Sequence, residues 1–144
     1  MNNYIDIAYQ EALISYNNNE VPVGAIIVKN NKIIAKAHNL SYKDGINSHA
    51  EIIAINKAIK ELNDWRLNDC EMYITLEPCP MCAGAIIQSR IKKIYIGACS
   101  NIKSNKKIIE SILNNDEYYH RVEIEYLKDN NCSVIISNFF KQKR

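Results

Sequence analysis

Glu71-Met72-Tyr73-Ile74-Thr75-Leu76-Glu77-Pro78-Cys79-Pro80-Met81-Cys82 decides the fold of this chain. Glu71–Leu76 is rich in β-formers and reads as a strand, and Pro78 and Pro80 stop it. Apolar residues then recur through Ser89 at helical spacing, so the segment predicts a strand, a tight turn and a helix. Pro80 suits the first helical position, where its missing N–H costs nothing. Cys79 and Cys82 are three apart, so one helical turn brings both sulfurs to one side.

Working outward, Lys92–Ala98 reads as a second strand. Cys99–Lys107 is polar and irregular, Lys107–Leu113 is a weak helix, and Val122–Lys128 alternates as a strand. Ser133–Phe140 starts a terminal helix that ends in Lys141, Lys143 and Arg144. On the other side, residues 4–16 carry an amphipathic helical pattern that Asn17-Asn18-Asn19 breaks. Val23–Lys29 and Lys32–His38 are strands joined by the hairpin signal Asn30-Asn31. Ser41–Asn47 is a loop, and Ser48–Leu62 is a second amphipathic helix. Helices separate the strands after the opening hairpin. The pattern predicts an α/β fold with helices on both faces of a largely parallel sheet.

The 144 residues suit one domain, 1–144. Hydrophobic residues make up 47% and charged residues 24%, which excludes a disordered, collagen-like or coiled-coil chain. No apolar run reaches the roughly 18 residues of a membrane span. Met1–Asp6 has neither a basic nor an apolar leader pattern, so a cytoplasmic protein without signal peptide is expected. The net charge of +2 permits nucleic-acid binding without diagnosing it.

Five cysteines without a secretion signal point away from disulfides and toward metal or catalytic use. Thirty residues before Cys79 stands His49-Ala50-Glu51. Imidazole and thiolate are the preferred donors for zinc, and three protein ligands leave a position open for chemistry. His49, Cys79 and Cys82 are therefore the candidate metal ligands. Glu51 is the candidate general acid–base, since a carboxylate beside an activated water can move its proton. Plainer readings exist for each part. The C-x-x-C pair alone also fits redox or structural use. Ser48-x-x-Glu51 also matches a helix capping box. Cys70, Cys99 or Cys132 could close the site as a fourth ligand, although they read better as small apolar residues.

H-x-E followed by P-C-x-x-C is the signature of zinc-dependent nucleobase deaminases. Beyond it, the chain resembles the bacterial tRNA-specific adenosine deaminases of the cytidine deaminase-like superfamily over nearly its whole length. The resemblance rests on Glu20-Val21-Pro22-Val23-Gly24-Ala25, Asn39, His49–Ile52, Trp65-Arg66-Leu67 and Thr75–Ile86. It continues through Ser89-Arg90-Ile91, Gly97-Ala98, His120–Ile124 and Phe139-Phe140.

The resemblance implies a three-layer α/β/α domain with a five-stranded mixed sheet, one Zn2+ per subunit and a homodimer. It implies hydrolysis of the wobble adenosine (position 34) of tRNA-Arg(ACG) to inosine, with the tRNA anticodon stem-loop as partner and no membrane. Asn39 would bind the base edge, the Ala50 backbone would help hold it, and Val21 and Pro22 would line the wall. Asn39 also fits an Asx turn, and Val21 and Pro22 fit simple packing. Neighbouring helical side chains diverge by about 100°, so one of Phe139 and Phe140 belongs to the core. The other, Phe140 in this reading, would stack on RNA, and Lys141 would meet phosphate.

One segment departs from the family pattern. Where relatives usually carry Arg-Asp and then Lys-Thr-Gly-Ala, this chain reads Cys99-Ser100-Asn101-Ile102-Lys103-Ser104-Asn105. Two other readings stay open: a free nucleobase or nucleoside deaminase acting on guanine or cytosine, and a non-catalytic zinc-bearing RNA-binding subunit.

Overall fold

A computed structural model describes residues 3–142. Five strands form one sheet: β1 (Gly24–Lys29), β2 (Lys32–His38), β3 (Cys70–Leu76), β4 (Lys93–Ala98) and β5 (Glu123–Tyr126), in the order β2-β1-β3-β4-β5. Asn30 and Asn31 turn the hairpin with φ of 52° and 61°. Asn tolerates this left-handed region, and it matches the twist of the strands. The β1–β2 register slips between Ile27 and Val28, a local bulge.

The sheet is mixed rather than largely parallel. β3, β4 and β5 run parallel, while β1 is antiparallel to both β2 and β3. The hairpin makes β2 the edge strand, so the chain crosses back over β1 and β3 pairs with β1 instead of β2.

Alternate residues of β1 face opposite layers. Ile26 and Val28 pack with Ile5 and Ala8 of α1 (Tyr4–Asn17). Ala25 and Ile27 pack with Ala54, Ile55 and Ala58 of α3 (Ala50–Leu62). Each strand therefore buries both faces and reads as a continuous apolar run. α4 (Pro80–Gln88) lies between α3 and α5 (Asn105–Leu113). α6 (Asn130–Gln142) packs on β3 and β4 beside α1, which completes three layers.

Two glycines permit this closeness. A Cβ on Gly24 would lie 2.0 Å from the Ala8 carbonyl oxygen of α1. A Cβ on Gly97 would lie 2.7 Å from Cys132 Sγ of α6. Any larger residue would push a helix off the sheet.

Several boundaries differ from the sequence expectation. The expected loop 41–47 contains a short helix, α2 (Ser41–Asp44), and a 3-10 turn over Ile46–Ser48. The buried Glu20 carboxylate explains α2: it accepts the N–H groups of Tyr42 at 2.8 Å and Lys43 at 3.0 Å. α6 begins at Asn130, before Ser133, because Asp129 Oδ1 accepts the Cys132 N–H at 3.1 Å. α5 starts at Asn105 rather than Lys107, and β5 is confined to Glu123–Tyr126. Lys143 and Arg144 lie outside the described residues.

Candidate functional site

The parallel strands β3 and β4 end on the same side of the sheet, and the helices that follow the chain's two motifs start there. His49 is the N-cap of α3 and Cys79 the N-cap of α4, both in extended backbone conformation. Pro80 occupies the first turn of α4, as its fixed φ favours. Cys82 follows one turn later and is buried. The positive ends of both helices thus point at the same place, which favours anionic sulfur.

His49 Nδ1 lies 3.4 Å from Cys82 Sγ and 3.7 Å from Cys79 Sγ. All three donor atoms fall within 4.8 Å of one another. A cation bound tetrahedrally at ~2.0 Å from nitrogen and ~2.3 Å from sulfur sets N···S separations near ~3.5 Å. The trio fits such an ion. Among the described residues no fourth His, Cys, Asp or Glu joins it, so the closed-site alternative finds no ligand. Cys70 and Cys132 are buried as small apolar residues, whereas Cys99 is exposed on the loop after β4, contrary to its expected packing role.

The sulfurs share their protons unequally. The Cys79 thiol is pulled down to about 4, first by the Cys82 thiol that donates to it and then by His49 and the Cys82 backbone N–H. Cys82 is driven the other way by that same bond and by burial. His49 is raised mainly by its bond to Cys79. A bound divalent cation takes the place of these protons and leaves both thiolates free to ligate it.

Glu51 is 4% exposed, and burial pushes its carboxyl up to about 7. It does not form the capping box. No side chain caps α3, and Ser48 Oγ donates to the Asp44 carbonyl at 3.4 Å instead. A carboxyl poised near neutrality beside three metal-type donors is suited to moving protons.

These groups open into a cavity of about 280 Å³. Val21, Asn39, Ala50 and Glu51 line it, as expected from the sequence. Pro22 does not. It is buried at the centre of a tight turn in which the Val23 N–H donates to the Val21 carbonyl at 2.9 Å, and Val23 reaches the cavity in its place. Asn39 serves the fold and faces the cavity at once. Its Nδ2 donates to the Val21 carbonyl at 3.2 Å and its Oδ1 accepts the Ser41 N–H at 3.2 Å. One amide hydrogen remains for a ligand.

Phe140 and Lys141 lie on exposed positions of α6 and not on the cavity wall. Phe139 is the buried member of its pair, with ring centroids 6.3 Å from Tyr16 and 6.5 Å from Tyr42.

Sequence reasoning missed the far wall: Glu77, Ser100, Ile102 and Asn105. Asn105 Nδ2 donates to Glu77 Oε1 at 2.7 Å and to the Pro78 carbonyl at 3.1 Å. The signal available was a charged residue ending an apolar strand just before Pro-Cys. Its partner stands 28 residues on and no local pattern marks it.

The sequence profile of the MafB19-like deaminase family matches residues 2–144. The chain is 41% identical over 143 residues to a tRNA-specific adenosine deaminase of Aquifex aeolicus, covering 98% of this chain and 94% of that one. Its fold is similar to a structure solved in biochemical and structural studies of A-to-I editing by tRNA:A34 deaminases at the wobble position. There the TM-score is 0.83 at 30% identity, over 92% of this chain and 97% of the other. It is also similar to a guanine deaminase from Bacillus subtilis, with a TM-score of 0.65 at 35% identity over 75% of this chain and 71% of that one.

Proposed function

The chain belongs with the tRNA-specific adenosine deaminases, in the MafB19-like deaminase family, and from this we propose that it converts the wobble adenosine (position 34) of a tRNA, tRNA-Arg(ACG), to inosine. The observation that carries the proposal is the meeting of His49, Cys79, Cys82 and the buried Glu51 in one cavity. Residues 1–144 act as a single deaminase domain.

The ligand set is that of a catalytic zinc site, one Zn2+ per chain held by His49, Cys79 and Cys82. When bound, zinc supplies Lewis acidity that makes water nucleophilic near neutral pH. The rest is the work of the protein. Glu51 takes a proton from the attacking water and hands it to ring N1. The water oxygen bonds to C6, the C6–N6 bond breaks, and Glu51 returns a proton to the leaving ammonia. Asn39 offers its free amide hydrogen to a ring acceptor, the Ala50 backbone braces the base, and Val21 and Val23 exclude water beside it.

The anticodon stem-loop suits such a cavity because its bases are already unpaired, so presenting one costs less than in a duplex. Phe140 offers a stacking surface and Lys141 a phosphate contact from the exposed end of α6. We read the enzyme as a cytoplasmic homodimer joined along Ala83–Ile91. Among the described residues no helix is long and apolar enough to cross a membrane.

The similarity to a guanine deaminase favours one competing reading, deamination of a free base. The test is to incubate purified protein with tRNA-Arg(ACG) and, in parallel, with guanine, cytosine and adenosine. Inosine confined to position 34 supports the proposal. Turnover of a free base with untouched tRNA overturns it.

A further inference from the structure

The cavity holds a second carboxylate with no part in the proton transfers described above. Glu77 is 4% exposed, and it closes the wall formed by the start of α5 and the loop after β4. Its Oε1 accepts from Asn105 Nδ2 at 2.7 Å. Because the same Asn105 amide also bonds the Pro78 carbonyl, the carboxylate is held in one orientation. Its Oε2 is buried and has no hydrogen-bond partner. A buried acceptor left unmet is costly, so an oxygen fixed in a ligand cavity calls for a donor from the ligand.

An adenosine inside an RNA chain carries two kinds of donor. The 6-amino group is the leaving group and must sit beside Glu51 and the metal ligands. The 3′ and 5′ oxygens are esterified and donate nothing. The 2′-hydroxyl is the donor that remains, and it is the group by which a protein distinguishes RNA from DNA.

We propose that Glu77 Oε2 accepts a hydrogen bond from the ribose 2′-hydroxyl of the nucleotide in the cavity, with Asn105 as the positioning residue that aims it. The proposal rests on the RNA-deaminase reading above. Ser100, which stands where relatives usually carry an acidic residue, lines the same wall and brings no carboxylate to it. Glu77 is then the carboxylate that makes this chain selective for ribose.

Glu77→Gln is the decisive variant. It keeps an oxygen for Asn105 and replaces the free oxygen with an amide that cannot accept. The substrates are two anticodon stem-loops of the ACG arginine tRNA, one with adenosine and one with 2′-deoxyadenosine at the target position. The unaltered enzyme should favour the ribose substrate. Glu77→Gln should lower kcat/KM on that substrate ~10–100-fold and change the deoxy substrate by less than ~3-fold. Equal losses on both would reduce Glu77 to a structural role, and no loss on either would show the oxygen idle. Either result overturns the proposal.

Should the variant fail to fold, the unaltered enzyme gives the answer on a 2′-fluoro substrate, whose fluorine cannot donate. Its kcat/KM should fall as far as with the deoxy substrate, and an undiminished rate would overturn the assignment. If the unaltered enzyme edits no stem-loop at all, the RNA-deaminase reading has failed and the ribose assignment falls with it.

Discussion

Cys82 Sγ stands 3.4 Å from His49 Nδ1 although 33 residues separate them in the chain. The proximity follows from topology. α3 leads into β3 and α4 leads out of it, and both helices start at the same end of the sheet. Two helix N-termini and three soft donors then share one small volume, which is a metal site by construction.

Replacing Cys82 with serine removes a soft ligand and leaves the helix turn intact. Zinc content of the purified variant should drop from about one per chain to near none, since two ligands rarely hold a divalent ion alone. Elemental analysis reads this directly. Full occupancy would refute the ligand assignment.

Glu51→Gln is isosteric and cannot shuttle a proton. Zinc content and melting temperature should stay at their unaltered values while kcat on tRNA falls ~10²–10⁴-fold, the range typical of general acid–base catalysis. This also separates an enzyme from a zinc-bearing binding subunit. Undiminished turnover would remove Glu51 from the mechanism.

The hairpin and the metal trio were legible because both rest on short-range chemistry. Asn30-Asn31 needs only its own left-handed backbone, and His49, Cys79 and Cys82 announce themselves by donor type and spacing. What the sequence hides is long-range. Nothing between β2 and β3 tells that β3 joins the inner side of the hairpin, so the mixed sheet reads as parallel. The Glu20 carboxylate caps α2 from 22 residues away, which turns an expected loop into a helix. The Glu77–Asn105 bond and the turn that withdraws Pro22 from the cavity are likewise tertiary.

The raised carboxyl of Glu51 has a stability consequence in the metal-free protein. Its folded value of about 7 exceeds the ordinary 4.5, so between these limits the folded state binds the extra proton. That contribution is fully present below pH 4.5 and is lost as pH rises through about 7. Cys79 acts oppositely: its lowered value of about 4 makes ionisation favour the fold as pH rises toward the ordinary 9. Glu51→Gln deletes the first contribution and keeps the second. Urea unfolding of chelator-treated protein at pH 5 and pH 7 should therefore show stability rising more steeply with pH in the variant. The difference should be about 1–3 kcal/mol. Parallel pH profiles would show that Glu51 carries no raised value.

Phe140 and Lys141 are exposed at the end of α6, outside the cavity. If they serve the RNA, their loss should act on binding and spare the chemistry. Phe140→Ala should raise KM for tRNA ~5–100-fold, the worth of one stacked base, with kcat unchanged. Lys141→Ala should flatten the salt dependence of binding by about one phosphate contact. Titrations across a salt series would expose a merely solvated helix end as no change in slope.

Gly84 tests the proposed dimer. It lies in α4 within the Ala83–Ile91 segment, and a Cβ there would meet nothing within 4 Å in the chain. A large side chain at this position is therefore tolerated by the isolated fold, and replacing a helical glycine gains up to about 1 kcal/mol of helix propensity. In a dimer joined along this face, the same side chain would be driven into the partner. Gly84→Arg should keep the far-ultraviolet circular dichroism of the unaltered protein while its mass by light scattering falls from dimer to monomer. A dimeric Gly84→Arg would move the interface elsewhere, and an unaltered protein already monomeric at micromolar concentration would remove the dimer altogether.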